Sequence, residues 1–285
     1  MFRCCVVAIA VFLAFVTPGR AAEPSAHRIV SLNPSLTRIL VAIGARDTLV
    51  GVDEFSARAE PAVSSLPRVG GLYAPSLESV VALRPDLVVL VPSFEQREFR
   101  TRLKELGLTV QEYDPVRFEQ VLDTIRALGE RVGHETEAQA RIDAIRRTQA
   151  AVQRAVATRP PPTAVLVLQR EPLFVVGRGS FLDEMIAMAG ARNLAAELGE
   201  PWPRTSVEWL VGAAPQVILD SDSDPAPAAS FWARWSSIPA VAQGRVVAVD
   251  AGDVTLPGPD LDRALLKLAR ALHGAALAIE IPVAP

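Results

Sequence analysis

The sequence predicts an α/β protein of two lobes, each a parallel sheet flanked by helices, with one long helix between them. Three observations carry this. Short runs of β-branched and aliphatic residues alternate with segments whose apolar residues keep helical spacing, the order that builds a parallel sheet covered on both faces. A charged amphipathic stretch, TEAQARIDAIRRTQAAVQRAVATR, crosses the middle of the chain and stops at Pro160, Pro161 and Pro162. One word order also occurs twice, as SLESVVALRPDLVVL from Ser76 and SVEWLVGAAPQVILD from Ser206. Each copy reads serine, an acid two positions on, an apolar run, a proline and a strand.

The chain opens MFRCCVVAIAVFLAFVTPGRAAEP, with Arg3, 13 uncharged residues from Cys4 to Val16, then Pro18, Gly19, Ala21 and Ala22. This is the layout of a secretory signal cut after Ala21 or Ala22, so residues 1–22 are expected to be removed on export. A membrane anchor needs about 20 apolar residues. Both cysteines, Cys4 and Cys5, lie in this leader. The mature chain would therefore have no disulfide, thiolate metal site or cysteine nucleophile. Losing Arg3 and Arg20 lowers the 29 basic residues to 27, against 32 acidic ones, and leaves no basic cluster. Nucleic acid is not an expected partner, because neutralising phosphate needs clustered bases.

The first lobe is expected over residues 23–133. HRIVSL reads as a strand, followed by a helix that Asn33 or Ser35 caps and Gly44 ends, with Leu36, Ile39, Leu40 and Ile43 on one face. LVGV is the next strand, followed by a polar loop. SLESVVAL is a short helix capped by Ser76, stopped at Arg84-Pro85-Asp86 and followed by the buried strand LVVLV. REFRTRLKELG forms an amphipathic helix, LTVQEYD a strand, and PVRFEQVLDTIRALGERVG another helix. A long helix is expected over residues 134–160, with Ile142, Ile145, Val152 and Val156 as its apolar stripe; it reads as an ordinary surface helix or, more sharply, as a rigid rod joining the two lobes.

The second lobe, residues 161–285, repeats the plan. TAVLVLQ, QVILD and RVVAVD are strands; SFLDEMIAMAG and SVEWLVGA are helices; DLDRALLKLARALHGAALA closes the chain. LVAIGARDTLVGV and MIAMAGARNLAAE share an apolar helix, a Gly-Ala-Arg turn and an apolar restart. Two matches in the same order point to a duplicated α/β unit. The offsets differ, 130 residues between Glu78 and Glu208 but 146 between Gly44 and Gly190, so loop lengths have drifted.

Catalytic chemistry is thinly represented. His27, His134 and His273 are far apart, and none forms a paired-histidine motif, so hydrolase and zinc readings have little support. VGRGSFL offers Gly177 and Gly179, but the third glycine of a dinucleotide loop falls on Leu182, so a strand-to-helix turn is the better reading. Aromatics say more. Trp202 stands between Pro201 and Pro203, where the prolines restrict the backbone and an exposed indole would offer a rigid apolar face. With Phe55, Tyr73 and Phe174 it is a candidate lining for a cleft that takes a large, flat, partly apolar ligand. Trp232 and Trp235 read as structural. Glu78 and Glu208 each sit in the first turn of a helix, where the dipole favours an acid. A matched pair, one per lobe, also suits two docking points for a partner bearing arginines.

The stretches RIVSLNPSLTRILVAIGARDTLVGV, LPRVGGLYAPSLESVVALRPDLVVL, EPWPRTSVEWLVGAAPQVIL and WSSIPAVAQGRVVAVD resemble the periplasmic substrate-binding proteins of cobalamin, haem and ferric-siderophore importers, above all the cobalamin branch. The resemblance implies two Rossmann-like lobes bridged by one long backbone helix, and a non-enzymatic, monomeric periplasmic receptor that needs no cofactor. Its partners would be a small-molecule corrinoid, with cobalamin the expected ligand, and the permease of an ABC transporter. Glu78 and Glu208 match the glutamates that dock on permease arginines, and Trp202 and Phe55 match aromatic ligand contacts. Two further aromatics of the pattern fall on Leu72 and Val91, with Tyr73 adjacent. Asp253 matches an acidic contact near the last helix, but its arginine companion has no match.

Haem would need an axial ligand from the protein, for which Tyr73 is the candidate. Anionic siderophores favour clustered arginines, and only Arg170 and Arg178 flank the second-lobe loop. The ligand order expected is corrinoid, haem, siderophore. An enzyme acting on a metal-chelate ligand would require a histidine or carboxylate cluster in the cleft, and a purely structural envelope protein leaves Trp202 without a role.

Overall fold

The computed structural model describes residues 25–221 and 227–282; the leader lies outside the described residues. The first lobe runs β1 (Ile29–Ser31), α1 (Pro34–Ala42), β2 (Leu49–Val52), α2 (Glu54–Ala59), α3 (Leu77–Ala82), β3 (Leu87–Leu90), α4 (Arg97–Glu105) and β4 (Val110–Glu112). Its sheet has the order β2-β1-β3-β4, all parallel. α1 forms as its sequence dictates. The Asn33 side chain accepts from the Ser35 amide at 2.9 Å, Pro34 occupies the first turn, and Leu36, Ile39, Leu40 and Ile43 are buried. The loop expected after β2 contains a helix instead: EFSARA is too short and polar to show a stripe, but Asp53 caps it.

α5 (Phe118–Val132) and α6 (Glu135–Val156) follow. The expected stripe of Ile142, Ile145, Val152 and Val156 is buried. α6 ends at Val156, short of residue 160, because the residue before a proline is pushed away from helical geometry.

The second lobe runs β5 (Thr163–Gln169), β6 (Phe174–Val175), α7 (Phe181–Met188), β7 (Arg192–Asn193), α8 (Val207–Ala213), β8 (Val217–Asp220), α9 (Ala228–Trp232), α10 (Pro239–Ala242), β9 (Val246–Ala248), α11 (Ala251–Val254) and α12 (Leu261–His273). Its sheet has the order β6-β5-β8-β9, with β7 also on β5, and is parallel except for the antiparallel edge strand β6. α12 stops at His273, earlier than its apolar run suggests, where Gly274 takes φ +100°.

The repeat seen in the sequence is topological. α3 leads into β3, and α8 into β8; each of these strands is third in its sheet's order. Each Gly-Ala-Arg turn has its glycine at positive φ, +81° at Gly44 and +75° at Gly190, and each packs a histidine. A Cβ on Gly44 would meet the His134 ring at 3.5 Å, and one on Gly190 would meet His273 at 3.2 Å. These histidines are packing residues. Trp232 is fully buried, and its indole donates to Asp220, which also pairs with Arg170 at 3.1 Å. Arg170 is thus committed to a buried ion pair.

One hydrophobic core spans both lobes. It runs from Ile29 and Val89 through Leu128 and Ile145 to Leu166, Phe181 and Leu268. α6 packs between α5 and α12 at its centre.

Candidate functional site

A cavity of about 390 Å³ opens between the lobes. The first lobe builds its wall from the carboxyl ends of all four strands: Asn33, Pro34 and Ser35 after β1, Phe55 after β2, Val91 after β3, and Asp114, Pro115 and Val116 after β4. Leu72 joins from the loop before α3. The second lobe supplies Phe181 at the start of α7, Trp202, and Thr255, Leu256 and Pro257 between α11 and α12. Open α/β sheets bind ligands in this crevice, because the chain leaves each strand there in a loop free to vary.

Phe55 is carried by α2, which a buried polar network fixes. The Asp53 carboxylate accepts from the Phe55 amide at 2.8 Å, the Ser56 amide at 3.0 Å and the Ser56 hydroxyl. Thr37 Oγ1 lies 2.9 Å from Ser56 Oγ and 2.8 Å from Ser31 Oγ. Burial pushes the Asp53 carboxyl above its ordinary value, with the Ser56 and Phe55 hydrogen bonds opposing the shift. The folded state therefore holds this proton more tightly than the unfolded chain does. Its stabilising contribution is present at acid pH and is lost as pH rises through the raised pKa. Asp53→Asn, which keeps a capping oxygen, is expected to flatten this dependence. Between roughly pH 4 and 7 the urea midpoint of wild type should fall as pH rises, while that of the variant should change less.

Trp202 reaches the cavity on a strap laid antiparallel beside β6. The Val175 amide donates to Pro203 O at 3.1 Å, the Gly177 amide to Pro201 O at 2.9 Å, and the Thr205 amide to Leu173 O at 2.9 Å. Prolines suit this edge, since they lend a carbonyl without needing a partner for an N–H. The strap crosses so close to Gly177 that a Cβ there would fall 2.1 Å from Glu200 O. This is what the glycine of VGRGSFL is for. Trp202 remains 42% exposed.

The segment bearing Thr255–Pro257 is tied to the rest of the molecule by two arginines. Arg38 on α1 donates to Gly252 O at 3.2 Å and pairs with Asp260 at 2.6 Å. Arg141 on α6 donates to Pro259 O at 2.6 Å and pairs with Asp262.

The other sequence candidates lie outside the wall. Tyr73, next to Leu72, is 62% exposed and does not line the cavity. Phe174 is half-buried in β6 between the buried Leu173 and Val175, and is likewise not a lining residue. The side chain of Asp253 lies outside the described residues. Sequence reasoning missed Asn33, Ser35, Asp114, Phe181 and Thr255 as wall residues; their only signal is position, just beyond a strand or at a helix start.

Glu78 and Glu208 are exposed in the first turns of α3 and α8. Ser76 Oγ accepts from the Ser79 amide at 3.1 Å, and Ser206 Oγ accepts from the Trp209 amide at 3.2 Å. Hydrogen bonds from the Ser206 hydroxyl and from its own backbone amide hold the Glu208 carboxyl below its usual range, so it stays charged.

Comparison with known proteins gives a consistent answer. The family described as periplasmic binding protein matches residues 29–252. A vitamin B12-binding protein of Vibrio cholerae is 28% identical over 253 residues, covering 88% of this chain and 91% of that protein. The solved structure of the Vibrio cholerae periplasmic vitamin B12 binding protein BtuF superposes with a TM-score of 0.76 at 26% identity, over 87% of this chain and 96% of that one. The periplasmic haem-binding protein BhuT, solved with two haems, gives a TM-score of 0.77 at 29% identity, over 90% and 100% of the two chains. All of these are named as binding proteins.

Proposed function

The chain belongs to the periplasmic binding protein family, and from that premise we propose that it is the exported receptor of an ABC importer, capturing cobalamin or a related corrinoid between its lobes. In this reading residues 1–22 are the cleaved leader, 23–133 and 161–285 the lobes and 134–160 their connector. Glu78 and Glu208, one per lobe, dock on permease arginines.

The composition of the cavity wall carries the choice of ligand. Among the described lining residues there is no His, Tyr, Cys or Met to serve as an axial ligand, and no Lys or Arg; the one charge is Asp114. Haem takes an axial ligand from the protein, and its propionates would meet Asp114. An anionic siderophore would meet the same carboxylate. A corrinoid can arrive with its cobalt already coordinated and presents peripheral amides, which donate well to Asp114 and Asn33.

Calorimetric titration of the leaderless protein with cyanocobalamin, alongside haemin followed at its Soret band, tests this. Stoichiometric cobalamin binding without a haem response is expected. A tyrosinate-type haem spectrum with no cobalamin heat would overturn the corrinoid reading and make Tyr73 the axial ligand, as the likeness to BhuT allows. In the same titration Trp202→Ala should lose about 1 to 3 kcal/mol of affinity, roughly 5- to 150-fold. An unchanged dissociation constant would remove Trp202 from the site.

A further inference from the structure

An exposed aromatic stands in the loop at the carboxyl end of β3, the end of the sheet at which the cavity opens. Phe94 is 77% exposed, the most exposed large apolar residue of the described chain. It stands three residues after Val91, a cavity-wall residue, in the turn between β3 and α4. The turn is braced. Ser93 O accepts from Arg100 at 3.1 Å, Ser93 Oγ accepts from the Gln96 amide at 3.3 Å, and the buried Gln96 side chain donates to the carbonyl of Leu72, another wall residue. The Arg97 guanidinium lies 4.9 Å from the Phe94 ring centroid and occupies one side of it. The result is a braced turn, tied to the cavity wall through the Gln96–Leu72 hydrogen bond, that carries a ring backed by Arg97 and otherwise exposed.

The cavity holds about 390 Å³, near the lower end of the roughly 300–1,000 Å³ typical for drug-sized ligands. A corrinoid is larger than these and must project past the mouth. We propose that Phe94, a residue beyond those matched by sequence, is an outer binding residue that covers the projecting part of a flat macrocyclic ligand, with Arg97 backing its ring. This rests on the corrinoid reading. An exposed ring buried only on ligand capture explains why the chain tolerates it in water, and the braces explain why its ordering costs little on binding.

The test titrates cyanocobalamin into wild type, Phe94→Ala and Phe94→Tyr, with urea unfolding and reconstituted uptake of each. Phe94→Ala is expected to weaken binding about 3- to 10-fold, with an unchanged unfolding midpoint, while Phe94→Tyr restores affinity. If wild type binds cyanocobalamin and Phe94→Ala binds it equally well, the outer contact is wrong and the corrinoid reading stands. Unchanged affinity with impaired uptake would likewise overturn it and move Phe94 to the permease interface. Equal losses in Phe94→Ala and Phe94→Tyr would overturn the stacking role. If wild type itself fails to bind cyanocobalamin, both readings fall.

Discussion

Glu78→Lys combined with Glu208→Lys is expected to abolish corrinoid uptake while leaving the affinity of the purified receptor within about twofold of wild type, since neither residue lines the cavity. Both carboxylates are exposed, and the side chain of each makes no ion pair among the described residues, so reversal breaks no salt bridge within the fold. If the two glutamates dock as proposed, reversal sets like charges against permease arginines in place of charge-assisted pairs, and like-charge apposition across an interface costs several kcal/mol. Some helix-end stability is also lost, because a lysine opposes the dipole that the glutamate favoured. Uptake in reconstituted vesicles, measured beside calorimetry, separates the two effects. Undiminished uptake, or a large loss of affinity, would end the docking role. On the same reading single reversals should give partial loss, as expected for two contacts acting in tandem.

Gly177→Ala should strike the ligand site through packing alone. The added methyl would sit 2.1 Å from Glu200 O and 2.8 Å from Pro203 Cδ, so the obstruction is backbone and a proline ring, neither of which can rotate away. The strap must lift and carry Trp202 out of the wall. A stability loss of about 1–3 kcal/mol is expected from overpacking, with an affinity loss at least as large as that of Trp202→Ala. Gly179→Ala is the control. Gly179 has φ +87° with nothing within 4 Å of the added Cβ, so that variant should cost about 1 kcal/mol of backbone strain and keep its affinity. Equal affinities for wild type and Gly177→Ala would show that the strap does not position Trp202.

The frame of this protein was legible because its elements obey local rules. Asn33 and Ser76 cap the helices they were expected to cap, Ser206 caps the matching helix of the second lobe, and the Ile142–Val156 stripe faces the core. The duplicated order survived because both lobes keep the helix that enters the third strand. The cavity wall was less legible for a physical reason. Asn33, Asp114 and Thr255 belong to it by standing at the ends of particular strands and helices, and no periodicity marks a residue for where the neighbouring strand happens to end. Leu72 lines the wall while Tyr73 turns to solvent, a choice made by loop geometry and not by residue type. Gly177 illustrates the same limit: the sequence marks a tight turn, but the strap that needs the space comes from about 25 residues downstream.

The continuous core has a consequence for transport kinetics. With α5, α6, α7 and α12 welded into one apolar body, the empty and loaded receptors are expected to have nearly the same outline, and both would present Glu78 and Glu208 to the membrane. Unloaded copies then become competitors for the transporter. Raising receptor abundance above the available ligand should therefore slow import, and uptake measured against receptor concentration should pass through a maximum instead of reaching a plateau.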